Sequence, residues 1–285
     1  MDQLKVPRAW VTCANVALAF LALPLIVIVV SSFTNATFIS FPPRRFGFDA
    51  FLSIASHPDF LHSLWISCLL ATLVAVVATA IGLFAAVAIA WSSSRTAVLI
   101  QTFLLGPLMI PALVLGLGLL QALSIMGIRP GLEALFIGHL ALALPYVTRV
   151  VGSQLADYEP DQEKAARGLG AGSVVFFATV LLPALRPALV GGAVFAFVVS
   201  FDDVSMAIFL SSSTVITLPV QIYTYVAFSF EPFILALSML IILATLVIGL
   251  ILEKTIGLDV VFGTPKKQAA TKTVRGRPAR ATAGV

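Results

Sequence analysis

Long apolar blocks limit what this chain can fold into more than any other feature of its sequence. Six such blocks, each about 20 residues or longer, contain few charges and show no amphipathic spacing. Of the 285 residues, 60% are apolar and only 11% are charged, so lipid is the expected solvent. The blocks cover approximately residues 10–30, 64–91, 98–123, 132–151, 188–210 and 233–252.

Each block is predicted to be a transmembrane helix. In hydrocarbon every backbone N–H and C=O must bond within the protein, and apolar runs without period-two alternation favour helices over a β-barrel. The predicted fold is therefore an all-α integral membrane domain of six transmembrane helices over residues 10–252. The first block is longer than the apolar region of about 7–15 residues in a cleaved signal peptide, so we expect it to be retained.

Positive charge predicts the orientation of these helices, because loops rich in Lys and Arg stay in the cytoplasm. With the N-terminus inside, 14 of the 17 Lys and Arg residues lie on the cytoplasmic side, and only Arg44, Arg45 and Arg129 lie outside. Both termini are thus predicted to be cytoplasmic, with residues 1–9 as a short N-terminal segment. Residues 253–285 form a basic tail that we expect to be disordered and to lie near anionic lipid rather than to bind nucleic acid.

Several predicted spans contain residues that disturb a helix or leave room for a neighbouring one. Prolines remove backbone hydrogen bonds and bend membrane helices, and glycines allow close packing. This pattern suits a moving pathway, although Gly and Pro are also common in membrane helices generally. The residues are Pro24, Pro107, Pro111, Pro145, Gly116 and Gly118.

Neither a disulfide nor a metal site is predicted. Cys13 and Cys68 both lie in apolar blocks, where they behave as small apolar side chains. His139 is the only histidine within a predicted span and has no cluster of metal-ligating residues near it in the sequence. We therefore expect its side chain to be packed or hydrogen-bonded.

The connection between the fourth and fifth blocks, about residues 152–186, is much longer than joining two helices requires. Pro160 suits the first turn of a helix, and the acidic residues Asp161 and Glu163 complement the positive end of that helix. Gly168 and Gly170 are predicted to end it.

A second short helix is predicted after the glycines. Ser173 is expected to cap it and Pro183 to stop it before the fifth span begins. The connection is thus predicted to hold two short helices that meet at a glycine turn. A short helix outside the membrane with small alanines on one face can pack closely into a groove on a partner protein.

These residues resemble the EAA loop of ABC importer permeases, whose pattern is Glu-Ala-Ala, three residues, Gly, nine residues, Ile, one residue, Leu-Pro. Lys164 occupies the position of the motif's glutamate, and Glu163 lies one residue earlier. Val180 replaces the isoleucine. The matching positions are Ala165, Ala166, Gly170, Leu182 and Pro183.

The resemblance implies the fold of an ABC type I importer permease, in which this loop is a coupling helix that docks on an ATPase. No Walker A motif occurs in the sequence, so ATP and Mg²⁺ are expected on a partner dimer of ATP-binding subunits. This chain is accordingly expected to hold no cofactor and to be no enzyme itself. The candidate docking residues are Glu163, Lys164, Ala165, Ala166, Gly168, Gly170, Leu182 and Pro183.

Asp202 and Asp203 lie together deep in the fifth block, about 21 Å from its cytoplasmic start. Ionised groups at such depth are costly and usually face a cavity or pathway. No Lys or Arg lies at a comparable depth in any predicted span, so a cationic solute is a natural counter-ion. Alternatively, water or a companion subunit satisfies these carboxylates, or one of them caps a broken helix. Because consecutive helical residues point about 100° apart, the two need not face one pathway.

The segment Ser-Phe-Asp-Asp at 200–203, with Leu-Pro at 218–219 and Ile-Tyr at 222–223, resembles the second permease of spermidine and putrescine importers. This resemblance implies import of a small cation such as a polyamine across the bacterial inner membrane. Related permeases carry opines, aminophosphonates or iron, which stay open as substrates. The implied partners are the ATPase dimer, a second and different permease chain, a periplasmic solute-binding protein and membrane lipid.

Two other classes of function are open at this point. A secondary transporter would use Asp202 and Asp203 as a proton relay, but it would not need the long loop. An intramembrane aspartyl enzyme would need carboxylates from two helices, whereas here both are predicted on one. Transport that survives loss of an ATPase would favour the first of these alternatives.

Overall fold

The structure, a computed structural model, describes residues 8–36, 39–92, 94–229 and 231–256. The predicted basic tail and N-terminal segment lie almost wholly outside these residues. Short 3₁₀ turns occupy Ser53–Ser56 and Gly106–Met109. The helices are α1 (Arg8–Ser32), α2 (Asp49–Leu52), α3 (Pro58–Ala90), α4 (Arg95–Leu105), α5 (Ala112–Ile125), α6 (Leu132–Ala156), α7 (Pro160–Gly168), α8 (Ser173–Asp202), α9 (Ala207–Leu210), α10 (Leu218–Phe228) and α11 (Phe233–Ile256).

Four of the described helices, α1, α3, α6 and α8, are long and apolar enough to cross a membrane. The pair α4 and α5 makes a fifth candidate if it is one span, and α11 is apolar over the shorter stretch Phe233–Val247. The all-α membrane fold is therefore confirmed. The count of six spans and the cytoplasmic termini stay predictions.

The core of the protein is formed by α3, α6 and α8, which pack along one another. Val147 of α6 lies where the three helices meet. A Cβ atom on Gly82 would lie 2.7 Å from Val147 Cγ1, and one on Gly192 would lie 3.2 Å from it. Glycine at both positions thus lets the backbones of α3 and α8 approach α6, as small residues do in membrane proteins generally.

The first helix lies at the edge of this core. It packs chiefly on α11, and the most apolar 18-residue window of α1 has no buried residue. Exposed apolar surface of this length must be covered by lipid or by another membrane protein.

The third apolar block is divided into two helices. The axes of α4 and α5 differ by 114°, and the break contains Pro107 and Pro111. Pro24 and Pro145, by contrast, lie inside continuous helices. A single proline costs one backbone bond that neighbouring groups can replace, whereas two prolines four residues apart remove two donors from one turn.

The fifth block differs from the prediction at both of its ends. A helix stopped by Pro183 and a separate span were expected, but α8 is continuous from Ser173 to Asp202, and its N-cap is Gly172 rather than Ser173. Pro183 follows a π-helical turn, Phe177–Leu181, whose hydrogen bonds reach one residue further and so accommodate the missing donor. The helix also ends at Asp202 instead of continuing to residue 210.

A smaller aromatic cluster fixes α10 and α11 against the start of α3. The ring of His57 stacks on Phe233 with 3.8 Å between centroids, and Phe60 meets Phe233 edge to face. The Tyr225 hydroxyl donates a hydrogen bond to Glu231 over 2.7 Å. This cluster positions α10 beside the end of α8.

Candidate functional site

The connection between α6 and α8 contains one exposed helix, α7, followed by a glycine turn. Pro160 stands in the first turn of α7, and the helix ends at Gly168, as predicted. Gly170 has a φ of 86°, a left-handed conformation that glycine adopts without strain, and its N–H donates to the carbonyl oxygen of Arg167 over 2.9 Å. The first predicted helix and the glycine turn are therefore present, but the second predicted short helix is the beginning of the long helix α8.

Small and apolar side chains are exposed along this connection. Ala165 and Gly168 are exposed on α7, and a Cβ atom at Gly168 would meet no other atom within 4 Å. Leu169 is 91% exposed and Val174 is 81% exposed. Small residues on α7, followed by exposed apolar side chains, suit close contact with a partner protein.

The charged residues of α7 form ion pairs within the helix. Glu163 accepts hydrogen bonds from Arg167 over 2.8 Å, and Lys164 contacts Asp161 over 2.8 Å. The Arg167 guanidinium also lies 6.0 Å from the centre of the Phe176 ring on α8. Arg167 therefore links α7 to α8, although exposed pairs of this kind contribute only about 0.2–1 kcal/mol each.

The candidate docking residues do not all lie together. The residues from Glu163 to Gly170 belong to α7 and its turn, whereas Leu182 and Pro183 lie well inside α8. Leu182 is partly buried against the core formed by α3, α6 and α8. The structure thus separates an exposed docking surface from a pair of residues that shape α8.

The sequence did not single out Trp91 and Tyr158, which lie beside α7. Trp91, at the end of α3, lines a groove of about 610 Å³ together with Glu163, Arg167 and Phe176. The Tyr158 hydroxyl is buried without a hydrogen-bond partner among the described residues. Burial, and then the Glu163 carboxylate, raise the pKa of Tyr158. The sequence did contain a signal for Trp91, because this aromatic residue ends an apolar block directly before a polar loop.

Asp202 and Asp203 lie where α8 ends, with different surroundings. Asp203 is 9% exposed, and its Oδ2 accepts hydrogen bonds from the N–H groups of Met206 (3.2 Å) and Ala207 (2.9 Å). It thus caps the short helix α9, which was one of the alternatives that the sequence left open. The Asp202 side chain is exposed and makes no hydrogen bond or ion pair within the described part of the chain.

Asp202 lines a cavity of about 510 Å³ between the end of α8, α10 and α11. Phe201, Ile222, Tyr223 and Val226 contribute to the same cavity, and Tyr223 is 60% exposed. Asp202 is the only charged residue among those that line it. The cavity therefore combines one free carboxylate with apolar and aromatic walls, which is the chemistry that binds an organic cation.

His139 is fully buried between α6 and α8, as the sequence predicted for a packed or hydrogen-bonded histidine. Its Nδ1 lies 2.9 Å from the Ser200 hydroxyl, and its Nε2 has no partner among the described residues. The pair joins α6 to the last turn of α8, directly before the two aspartates.

Long apolar helices around a three-helix core, with an exposed loop helix, define a helical membrane protein. The chain belongs to the family described as the inner membrane component of binding-protein-dependent transport systems, whose sequence profile matches residues 78–254. It is thus a multi-pass protein of the bacterial inner membrane and a permease subunit of an ABC importer, in which ATP is hydrolysed by a separate chain.

Curated relatives include permeases of polyamine importers. The chain is 28% identical to the spermidine/putrescine transport system permease protein PotC of Escherichia coli K12 over 229 residues, which cover 80% of this chain and 86% of PotC. It is 26% identical to the putrescine transport system permease protein PotI of the same strain over 264 residues, covering 88% and 92% of the two chains.

Solved structures show the same fold. A chain from a bacterial ABC transporter that imports the acidic polysaccharide alginate matches 90% of this chain and 99% of its own length, with a TM-score of 0.60 and 17% sequence identity. At this identity the match supports the fold and says nothing of the solute.

Proposed function

We propose that this chain forms part of the pathway of an ATP-driven importer for a small organic cation such as a polyamine, which a periplasmic binding protein delivers. The observation that carries this proposal is the unpaired carboxylate of Asp202 in a cavity walled by Phe201 and Tyr223. A carboxylate binds an ammonium group by a charge-assisted hydrogen bond, and aromatic faces attract the same cation.

The likeness to PotC and PotI supports a polyamine as the solute, because both cover most of this chain. An opine, an aminophosphonate or iron is the alternative within the same family. These solutes differ in charge: an aminophosphonate or an opine carries anionic groups that Asp202 would repel, whereas a polyamine carries only positive charge.

The experiment is uptake of labelled putrescine or spermidine by the complete transporter, with Asp202→Asn and Asp202→Glu as a matched pair. We expect Asp202→Asn to lower the rate at subsaturating solute about tenfold to a hundredfold, since a hydrogen bond to a charged group contributes about 1.5–3 kcal/mol. Asp202→Glu keeps the charge and should retain most of the uptake. Native uptake of a neutral or anionic solute, unchanged in Asp202→Asn, would contradict the proposal.

We also infer that α7 and its glycine turn dock on an ATP-binding subunit, while a second permease and a binding protein complete the importer. The exposed Ala165, Gly168 and Leu169 supply a surface of small and apolar groups for that contact. Leu182 and Pro183 have a different place, inside α8 directly after its π-helical turn. We infer that they shape this helix, which runs from the glycine turn after α7 to Asp202, so that a push on α7 moves the helix end at Asp202.

A further inference from the structure

A second large cavity opens at the predicted cytoplasmic ends of α3, α4 and α6, away from Asp202. Its volume is about 760 Å³. Alanine, isoleucine, leucine and methionine side chains of α3, α4 and the following 3₁₀ turn form most of the wall, and Gly152 belongs to the α6 side. The cavity is therefore shaped for an apolar group over most of its surface.

Two polar side chains in this cavity have no hydrogen-bond or ion-pair partner among the described residues. Within the described residues, neither the Arg149 guanidinium nor the Gln101 amide makes a hydrogen bond, and Arg149 makes no ion pair. Thr148 also lines the cavity, but its hydroxyl already donates to the Leu144 carbonyl oxygen over 2.9 Å. A free guanidinium with five donors and a free amide in the same cavity are suited to a phosphate group.

Both polar side chains lie about equally far along their helices from the predicted cytoplasmic ends. Arg149 is about seven residues before the end of α6, and Gln101 is about six residues after the start of α4, so each lies roughly 10 Å from the predicted cytoplasmic end of its helix. The polar interface of one leaflet is about 5–8 Å thick. With those helix ends at the cytoplasmic surface, we expect the two side chains near the boundary between phosphate groups and acyl chains, which a long arginine side chain can reach.

We propose that this cavity binds one anionic phospholipid of the inner leaflet, with its phosphate on Arg149 and Gln101 and an acyl chain along the apolar walls. Charge complementarity selects this occupant. Any small organic cation would be repelled by Arg149, and a free phosphate would leave the apolar walls unused. The site is independent of the solute proposed above, since it shares no lining residue with the cavity of Asp202.

The test uses the complete transporter, purified into mild detergent, and native mass spectrometry with phosphatidylglycerol and phosphatidylcholine as probes. Arg149→Gln removes the charge. Gly152→Leu fills the apolar part instead, and a Cβ atom there meets no other atom within 4 Å, so the helix should tolerate the change. Arg186→Gln is the matched control, because Arg186 is an exposed arginine on α8 that does not line the cavity.

We expect the wild type and Arg186→Gln to retain one phosphatidylglycerol per copy of this chain and little phosphatidylcholine. Arg149→Gln and Gly152→Leu should each lower the affinity for phosphatidylglycerol about tenfold or more, as the loss of a charge-assisted hydrogen bond implies for the first. Equal retention in Arg149→Gln and Arg186→Gln would overturn the proposal. So would a cross-link from a cysteine at Gly152 to a partner subunit, which would mean that protein fills the cavity.

Discussion

At the scale of single residues, Asp202 and Asp203 are adjacent at the end of α8 but have different surroundings. Asp203 turns inwards and accepts two backbone hydrogen bonds, whereas Asp202 stays exposed to the cavity of Tyr223. A buried carboxylate that accepts backbone N–H groups is stabilised without a cation. Only Asp202 is therefore free to bind a positively charged solute.

We predict that Asp203→Ala destabilises the protein by about 1–3 kcal/mol, because it leaves the buried N–H groups of Met206 and Ala207 unsatisfied. Asp203→Asn keeps a side-chain oxygen that can accept these hydrogen bonds, so it should lower the stability much less. The measurement is the thermal unfolding of the purified complex. Asp202→Ala is the control: its exposed side chain holds no bond, so its melting temperature should match that of the wild type. Equal melting temperatures for Asp203→Ala and Asp202→Ala would contradict the capping role.

The sequence indicated the depth of these residues but not the end of α8. The block continues to residue 210 with apolar residues, and neither Gly nor Pro occurs between residues 193 and 218. Tertiary packing ends the helix instead. Met206 approaches α5 so closely that a Cβ atom on Gly116 would lie 2.8 Å from Met206 Cα. Single-sequence patterns contain no record of such a contact between distant segments.

At the scale of helices, α7 was predictable because its signals are local. Pro160 begins it, acidic residues lie in its first turn and Arg167 in its last, and Gly170 adopts the left-handed turn after it. In α8 the local signal was misleading, since Pro183 alone suggests a stop. The π-helical turn Phe177–Leu181 that lets the helix continue has no recognisable sequence pattern.

We predict that Gly168→Leu weakens the contact of α7 with the ATPase. Gly168 has an ordinary helical conformation and open space around it, so leucine should leave this chain folded and only obstruct an approaching partner. The readouts are copurification of the ATP-binding subunit and ATP hydrolysis stimulated by solute, of which we expect at least one to fall severalfold. Gly170 is a poorer choice for this test, because its φ of 86° makes any side chain strain the turn itself.

The control for this experiment is Gly249→Leu. Gly249 also lies in a helix with open space around it, but it belongs to α11, far along the chain from the docking loop. A transporter that carries Gly249→Leu should assemble and hydrolyse ATP as the wild-type transporter does. If the Gly168→Leu variant copurifies with the ATP-binding subunit as the wild type does, and solute stimulates its ATP hydrolysis fully, then α7 is not the docking surface.

At the scale of the whole molecule, the helices divide into a compact core and an uncovered periphery. The core helices α3, α6 and α8 bury one another, whereas α1 has no buried residue in its most apolar window. Composition and apolar block length were enough to predict a helical membrane protein. They leave the path of the third block undecided, because the sharply bent pair α4 and α5 can cross the membrane or return to the side it came from.

Cysteine labelling of Arg95 and Arg129 resolves that path, since these residues flank the bent pair. In a background with Cys13 and Cys68, both free thiols, replaced by serine, Arg129→Cys should react with a membrane-impermeant maleimide in intact spheroplasts, and Arg95→Cys only after lysis. This outcome follows from the concentration of positive charge on the side of Arg95. Labelling of both sites from one side would make α4 and α5 a re-entrant loop and reduce the spans to five. Labelling in the reverse order would place the termini outside the cell and α7 out of reach of any cytoplasmic ATPase.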